Sequence, residues 1–309
     1  MAASSDPLVV VHASVTATRH RGAVLDEVAG RPAVDLLLAR LGAPSTLRTG
    51  TTAVVTSDLA ADDTVAEHAA RAGWRTIRGP VDDLLAGLSI ALVRFPADEL
   101  ALVEATGPLG DPHLVAATVE LHRRSRADHT SNLAPRSHPR GLDVEVFGAR
   151  TLRRCELELS DPDDRRHLGA HLRRHPERFR LANLTSGHAL AGEDWSIDTA
   201  ADLDRLRGVA GQLRDPVGTT WDRILGVAGR TNRARPGDVV LTPRTTVAAG
   251  SSPWVQRWDA TLDGRDLGTV ATSVEAGRTE TEVQVAAEHV EAVRAAFYRL
   301  VGLELLRGA

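Results

Sequence analysis

The chain has 309 residues, 42% of them hydrophobic, and a formal net charge of −4 at pH 7. That length allows one large or two modest domains, and the apolar fraction is enough for a sizeable core. The mild charge gives no indication of nucleic-acid binding. Because the sequence shows neither a signal peptide nor an apolar stretch near the roughly 18 residues that span a membrane, we expect a cytoplasmic protein.

Two residue counts restrict the chemistry. The single cysteine, Cys155, excludes an intrachain disulfide and a cysteine-rich zinc site, and its helical context favours a small core residue. The sequence contains no lysine, so all 37 Lys and Arg positions are arginine. A Schiff-base lysine, a phosphate-loop lysine and a lysine general base are therefore excluded.

The first part of the chain alternates short apolar runs with helical patterns. The predicted strands are Leu8–His12, Thr52–Thr56, Arg75–Ile77 and Leu100–Val103, and the predicted helices begin at Pro32, Asp62, Asp82 and Pro112. This alternation predicts a Rossmann-like, mainly parallel sheet with helices on both faces. Ligands bind beyond the carboxyl ends of the strands in such sheets, which places loops 13–23, 56–63 and 106–111 around the pocket.

The middle part of the chain carries the most informative segment. Leu142–Phe147 is predicted as a strand with two carboxylates, Asp143 and Glu145, on one face. Helices are predicted over 149–159, 163–174 and 200–213. Histidines 167, 171 and 175 repeat at helical spacing, but no H-E-x-x-H motif accompanies them, so we interpret them as a solvated helix face rather than metal ligands.

The pattern changes after about residue 215, where Asp215–Gly218 predicts a break. Strands are predicted over 239–241, 254–262, 268–274 and 280–285, with a turn at Asp263–Gly264 and an amphipathic helix over 287–306. We therefore expect a domain over 1–215 and a small β-rich C-terminal module over 230–309. This module could serve dimerisation, a partner or a small ligand, and Trp254 and Trp258 favour a core or interface over a stacking platform.

Several segments, taken in order, are similar to motifs of one known family. They are TSD and DD within 56–63, RGP and DD within 78–83, ADHTSN at 127–132, SHPRGLDVEVF at 137–147, HLRRHPERF at 171–179 and WSIDTAADL at 195–203. Over about residues 8–207, they resemble the spore-coat polysaccharide biosynthesis protein F family of the CMP-sugar synthetase (cytidylyltransferase) group. The resemblance implies a fold of the nucleotide-diphospho-sugar transferase type.

The resemblance also implies an activity. Members of that family transfer CMP from CTP to a hydroxyl of an acidic sugar or related acceptor and release pyrophosphate. Negative charge builds on the leaving pyrophosphate, and Mg²⁺ and a basic loop share its stabilisation. The resemblance therefore implies CTP and a small acidic acceptor as ligands, Mg²⁺ as cofactor and a homodimer as the assembly.

The family's first loop resembles ARMGSTRLPGK, and the aligned run at 13–23 is ASVTATRHRGA. The first arginine has become Ser14 and the final lysine has become Ala23, so two phosphate contacts are missing. The resemblance implies Arg19 and Arg21 as catalytic phosphate contacts, and Ser14, Thr18 and Gly22 as substrate contacts. The alternative for both arginines is an ordinary exposed side chain.

A second loop departs further from the family. Its motif RITGDCPLIDP corresponds to EATGPLGDP at 104–112, so the aspartate–cysteine pair is deleted and Glu104 replaces an arginine. The resemblance implies Asp198 as a catalytic metal ligand, and Asp111 or Glu104 could substitute for the deleted aspartate only in a rebuilt loop. The alternative for Asp198 is a helix cap. The remaining expected substrate contacts are Thr106, Asn132, Asp143 and Glu145, against a turn-forming asparagine and carboxylates paired with arginines.

Two functions remain open at this point. Loss of one preorganised charge stabiliser typically costs on the order of 10²–10³ in rate, so losing a lysine, an arginine and a metal ligand together could abolish turnover. The first hypothesis is a CTP-dependent nucleotidyltransferase with a remodelled pocket. The second is a catalytically inactive pseudoenzyme that serves as a binding or assembly subunit.

Overall fold

A computed structural model of the protein gives the positions of most residues. It describes residues 6–15, 19–42, 51–186, 190, 192–228, 239–243, 246–248, 254–262, 265–275 and 278–301. The described strands are β1 (Leu8–His12), β2 (Glu27–Val28), β3 (Arg31–Pro32), β4 (Thr51–Ser57), β5 (Arg75–Gly79), β6 (Glu99–Glu104), β7 (His129–Ser131), β8 (Val144–Gly148), β9 (Leu181–Asn183), β10 (Val239–Pro243), β11 (Thr246–Ala248), β12 (Trp254–Leu262), β13 (Arg265–Glu275) and β14 (Arg278–Val285). The described helices are α1 (Ala33–Leu41), α2 (Asp63–Arg71), α3 (Leu84–Arg94), α4 (Pro112–Ser125), α5 (Ala149–Glu158), α6 (Pro162–Arg166), α7 (Leu168–Arg174), α8 (Ala200–Ala210), α9 (Trp221–Ala228) and α10 (Val290–Val301).

The central sheet is mainly parallel, as predicted. Its strand order is β11-β9-β7-β8-β6-β1-β4-β5. Strands β6, β1, β4 and β5 pair in parallel, and β7 pairs in parallel with β9. Strand β8 runs antiparallel to both β6 and β7, and β11 runs antiparallel to β9. This sheet with its helices confirms the predicted Rossmann-like, mainly parallel architecture.

The continuous apolar run of β1 explains why this strand lies at the centre. Successive side chains of a strand point to opposite faces, so a strand covered by helices on both sides is apolar throughout. Val9 and Val11 enter one core, which α1 and α8 also line, whereas Leu8 and Val10 enter a second core with α3 and α5. The end of β1 is thereby fixed from both faces of the sheet.

The helix termini follow the capping chemistry that the sequence indicates. Helix α4 begins at Pro112, as predicted, with the Asp111 carboxylate accepting the His113 N–H at 2.7 Å. Helix α8 starts with a reciprocal capping box between Thr199 and Asp202. The single helix predicted over 163–174 is wrong in one respect, because the chain breaks at His167 into α6 and α7.

The C-terminal segment forms its own four-stranded antiparallel sheet in the order β10-β12-β13-β14. Helix α10 covers it, and Phe297 packs edge-on against Trp258 with ring centroids 5.0 Å apart. The β-rich module closed by a helix is thus confirmed as an element pattern, while the turn predicted at 263–264 lies outside the described residues. Among the described helices, none is long and apolar enough to cross a membrane.

Two elements do not follow the predicted boundary between 215 and 230. Helix α9, which the sequence pattern did not reveal, buries Ile224 and Ala228 in the first core. Strand β11 extends the central sheet by pairing Thr246 with Asn183, although it lies within the predicted C-terminal module. The division of the chain into 1–215 and 230–309 stays a prediction.

Candidate active site

The loop after β1 is held by a buried carboxylate from the next strand–helix connection. Asp62 is fully buried and accepts the Val15 N–H at 2.7 Å and the Ser14 hydroxyl at 3.2 Å. It also accepts the N–H of Ser57 at 3.3 Å. Ser14, predicted as a substrate contact, is therefore placed in the framework that shapes the loop. Thr18 lies outside the described residues.

The loop returns toward the sheet through Gly22, which has a φ of +84°. Only glycine adopts this left-handed conformation without a steric cost, which accounts for Gly22 at this position. Its N–H donates to the Val15 carbonyl at 3.0 Å and closes the loop. Arg21 is exposed beside it, and no carboxylate of the described residues pairs with its guanidinium.

Two of the predicted catalytic residues contact each other across the sequence. The Arg19 N–H donates to Asp198 Oδ1 at 3.1 Å, and the Arg19 Nε donates to Oδ2 at 2.8 Å. The hydrogen bonds from Arg19 hold the pKa of Asp198 below its ordinary value. Both side chains stay accessible, at 78% for Arg19 and 44% for Asp198. The structure thus brings the basic loop and the predicted metal ligand together.

A second polar pair lies at the centre of the same edge of the sheet. His12 and Glu104 are the last residues of β1 and β6, and they are register partners. The His12 Nδ1 lies 2.9 Å from Glu104 Oε2. Burial by itself lowers the pKa of His12, but the Glu104 carboxylate outweighs it and raises this pKa above its ordinary value. His12 was not among the predicted site residues, and Glu104 was expected only as a substitute for the deleted aspartate.

A small cleft of about 150 Å³ opens next to this pair. It is lined by Glu104, Thr106, Arg140, Gly141, Asp143 and Ser196. Gly141 packs closely against the loop after β6, because a Cβ on Gly107 would lie 2.1 Å from the Gly141 carbonyl oxygen. The Thr106 carbonyl accepts the Ile197 N–H at 2.8 Å and joins the two loops. Of the predicted contacts, the structure brings Thr106 and Asp143 to this cleft.

The two strand carboxylates are both paired with arginines. Asp143 forms a bidentate ion pair with Arg136, in which the Arg136 Nη2 lies 3.0 Å from Asp143 Oδ2. Glu145 lies 2.6 Å from the Arg173 guanidinium and 2.9 Å from His129 Nε2. Burial tends to raise the pKa of Glu145, but Arg173 and His129 outweigh it and lower this pKa to about 2. Asp143 remains at the cleft, whereas Glu145 belongs to an ionic network within the fold.

Two other predicted residues serve the framework. The Asn132 side chain is fully buried, donates to the Leu142 carbonyl at 2.7 Å and accepts the Val144 N–H at 3.0 Å. The Asp111 side chain is also fully buried, with Oδ1 capping α4 and Oδ2 accepting the Trp221 N–H at 2.7 Å. The structure does not bring Asp111 to the cleft, because its oxygens satisfy two helix starts.

The side chains available as ligands restrict how a metal ion could bind at this site. Within the described part of the chain, no group of three or more His, Cys, Asp or Glu side chains is arranged to hold a cation. A cation held by protein ligands alone does not fit this site. Mg²⁺ commonly uses one or two carboxylates together with substrate phosphates, and one accessible carboxylate, Asp198, fits that role.

Comparisons with known proteins agree with the fold and the motifs. Spore coat polysaccharide biosynthesis protein SpsF of Bacillus subtilis (strain 168) is 22% identical over 210 residues, which cover 66% of this chain and 86% of SpsF. A cytidylyltransferase from Leptospira borgpetersenii superposes with a TM-score of 0.68 at 18% identity, over 73% of this chain and 94% of its own. The chain therefore shares the fold of the Leptospira cytidylyltransferase and has a weak but consistent sequence similarity to SpsF, which supports a CMP-sugar synthetase-like relationship.

A further solved structure has the same core. CMP:2-keto-3-deoxy-manno-octonic acid synthetase, solved in complex with CTP, superposes with a TM-score of 0.50 at 15% identity, over 67% of this chain and 99% of its own. None of the protein-family profiles matches the chain. The family resemblance found in the motifs is confirmed, and the relationship supports a nucleotidyltransferase type of function.

The site contains functional candidates that sequence reasoning missed. His12, Arg140 and Ser196 lie at the carboxyl edge of the sheet, and the pairing of His12 with Glu104 was also unforeseen. A signal existed for this pair, since polar residues that end two buried strands of a parallel sheet meet at one edge. For Arg140, whose guanidinium has no carboxylate partner among the described residues, the surrounding motif gave no separate signal.

Proposed function

We propose that the protein binds CTP at the carboxyl edge of β1 and β6 and transfers CMP to a hydroxyl of an acidic sugar or related acceptor. The observation that carries this proposal is the contact of the Arg19 loop with Asp198, which lies two residues after Ser196 in the lining of the cleft. A triphosphate needs cations close to its developing charge, and a basic loop after a central strand supplies them. The sequence similarity to SpsF supports the same proposed function.

The residues divide into two groups under this proposal. Arg19 and Arg21 contact the phosphates, and Thr106, Asp143 and Arg140 face the acceptor. Arg140 is suited to an acidic acceptor because a guanidinium binds a carboxylate through two parallel hydrogen bonds. Mg²⁺ carried on the nucleotide and held by Asp198 would neutralise charge on the leaving pyrophosphate.

Calorimetric titration with CTP, ATP, GTP and UTP, each with and without Mg²⁺, tests the nucleotide. Selective CTP binding that requires Mg²⁺ is the expected result, and Arg19→Gln should weaken it. Arg71→Ala, which removes an exposed arginine from α2, is the matched control and should leave it unchanged. Pyrophosphate release from CTP with 2-keto-3-deoxy sugar acids as probe acceptors then tests the transfer, and a protein that binds none of the four nucleotides would refute the proposal.

A second candidate function is a non-catalytic nucleotide-binding subunit. The observation that favours it is that Arg19 already pairs with both oxygens of Asp198, while the neighbouring Asp202 carboxylate is engaged by Thr199 and Arg205. CTP binding without pyrophosphate release across the acceptor panel would support this alternative. Measurable release, proportional to enzyme concentration and abolished by Asp198→Asn, would exclude it.

A further inference from the structure

Transfer of CMP to a hydroxyl requires a group that accepts the hydroxyl proton. The acceptor oxygen attacks the α-phosphorus more readily as it loses this proton, and a positioned base typically contributes about 10²–10⁴ in rate. The chain contains no lysine that could serve. Asp143 is neutralised by Arg136, and the proposed function assigns Asp198 to Mg²⁺ on the nucleotide, so neither carboxylate is left as a free base.

The His12–Glu104 pair has the geometry that such a base needs. A carboxylate only accepts hydrogen bonds, so the 2.9 Å contact places the proton of the neutral imidazole on Nδ1. This tautomer leaves Nε2 with a free lone pair, and no hydrogen-bond partner of Nε2 occurs among the described residues. A base whose second nitrogen is oriented by a carboxylate is the arrangement that activates hydroxyl nucleophiles in other enzymes.

The surroundings of the pair fit the same role. The His12 side chain is 27% exposed and that of Glu104 is 41% exposed, so a ligand can reach both. Glu104 also lines the cleft, next to Thr106 and Asp143. Backbone hydrogen bonding fixes the two strand ends, since the Ala105 N–H donates to the His12 carbonyl at 2.9 Å.

We propose that His12 is the general base that removes the proton from the acceptor hydroxyl, with Glu104 as its positioning residue. This inference rests on the proposed CMP transfer. The acceptor O–H bond breaks and its proton moves to His12 Nε2, while the oxygen forms a bond to the α-phosphorus of CTP. The bond from the α-phosphorus to the bridging oxygen breaks, and pyrophosphate leaves with the electron pair.

A general base at His12 predicts a particular pH dependence of kcat/KM. Two carboxylates act on His12, Glu104 from β6 and Asp62 from the connection after β4, and together they raise the pKa of His12 against the effect of burial. A base works only when unprotonated, so kcat/KM should rise with pH through a pKa above the ordinary 6.5 of histidine. Removing the Glu104 charge should move this rise to lower pH.

The test uses the full chain, CTP, Mg²⁺ and whichever 2-keto-3-deoxy sugar acid gives pyrophosphate release with the wild type. In His12→Asn, the amide can still donate to Glu104 but offers no base. We expect kcat to fall about 10²–10⁴-fold while CTP affinity measured by calorimetry is unchanged. Glu104→Gln should shift the rise of kcat/KM to lower pH, and His175→Asn, which alters a similar surface pair with Glu177, should change neither.

The possible results distinguish failure of the His12 role from failure of the proposed CMP transfer. His12→Asn turnover within threefold of wild type, or an unmoved pH profile in Glu104→Gln, would overturn the role of His12 while leaving CMP transfer intact. A wild-type protein that binds CTP but releases no pyrophosphate with any probe acceptor overturns the proposed transfer and the base together. Circular dichroism of both variants separates loss of the base from loss of the fold.

Discussion

Glu145→Gln is the substitution that best separates a structural from a substrate-binding role of the β8 carboxylates. Glu145 contacts Arg173 at 2.6 Å and His129 at 2.9 Å, and its side chain is 19% exposed. Burial keeps His129 largely neutral, because it lowers the pKa of this histidine. The glutamine keeps the shape of the side chain but removes its charge, so Arg173 loses its ionic partner.

The expected loss of stability follows from the shift in the Glu145 pKa. A lowering from 4.5 to about 2 corresponds to about 3 kcal/mol of stabilisation at neutral pH. Because the pKa is lower in the folded state, this contribution is present above pH 4.5 and is lost as the pH falls toward 2. The difference between wild type and variant should therefore shrink to about 1 kcal/mol at pH 3.

Urea unfolding monitored by circular dichroism at pH 7 and pH 3 measures this difference. Glu67→Gln is the matched control, because it removes an exposed i,i+4 ion pair with Arg71 that contributes little. A Glu145→Gln protein that is as stable as wild type at pH 7 would refute the reasoning. So would a loss of the same size at both pH values, since a lost packing contact does not titrate.

Three further predictions concern the network, a helix cap and the metal ligand. Gly169→Ala places a Cβ 1.8 Å from Glu145 Oε2, so it should lower the melting temperature, and Glu145→Ala in the same chain should offset part of this loss. Thr199→Ala removes the capping box of α8 and should cost about 1 kcal/mol in urea unfolding, whereas no change would contradict the cap. Asp198→Asn should reduce the CTP affinity measured by calorimetry with Mg²⁺ about tenfold. Without Mg²⁺ the affinity should be unchanged or higher, since the substitution releases Arg19. An unaltered Mg²⁺ dependence would contradict the role of Asp198 as a metal ligand.

The sequence predicted the central elements well where local chemistry specifies them. The apolar run of β1 and the Asp111–Pro112 start of α4 both occur as expected, because burial and capping act within a few residues. Strands β7 and β9 were missed, since three residues are too short to show a period of two. Helix α9 was missed because eight residues give only about two turns, too few for a clear helical period after the predicted break at 215–218.

The candidate site was predictable in its location but not in its pairings. Loops 13–23, 56–63 and 106–111 were expected to form it; the structure places Thr106 of the third loop in the cleft, while the first loop contacts Asp198 and is held by Asp62 of the second. The ion pair of Arg19 with Asp198 joins residues 179 positions apart, and no local pattern indicates such a contact. No local pattern indicated the contacts of Asp111 either. Its carboxylate could ligate a metal ion, but its oxygens accept the N–H groups of His113 at the start of α4 and of Trp221.

The Arg19–Asp198 ion pair does not decide between the two proposed functions, whereas the number of carboxylates available to a metal ion does. Ion pairs between exposed side chains are weak, so an arriving triphosphate can take Arg19 from Asp198 at little cost. The released carboxylate could then meet Mg²⁺ on the nucleotide, and the pair itself therefore does not block catalysis. The Asp202 carboxylate beside Asp198 is engaged by Thr199 and Arg205, so the charge of the leaving pyrophosphate falls on arginines and on a single metal contact from Asp198. Turnover then depends strongly on the deprotonation of the acceptor, which is the step assigned to His12.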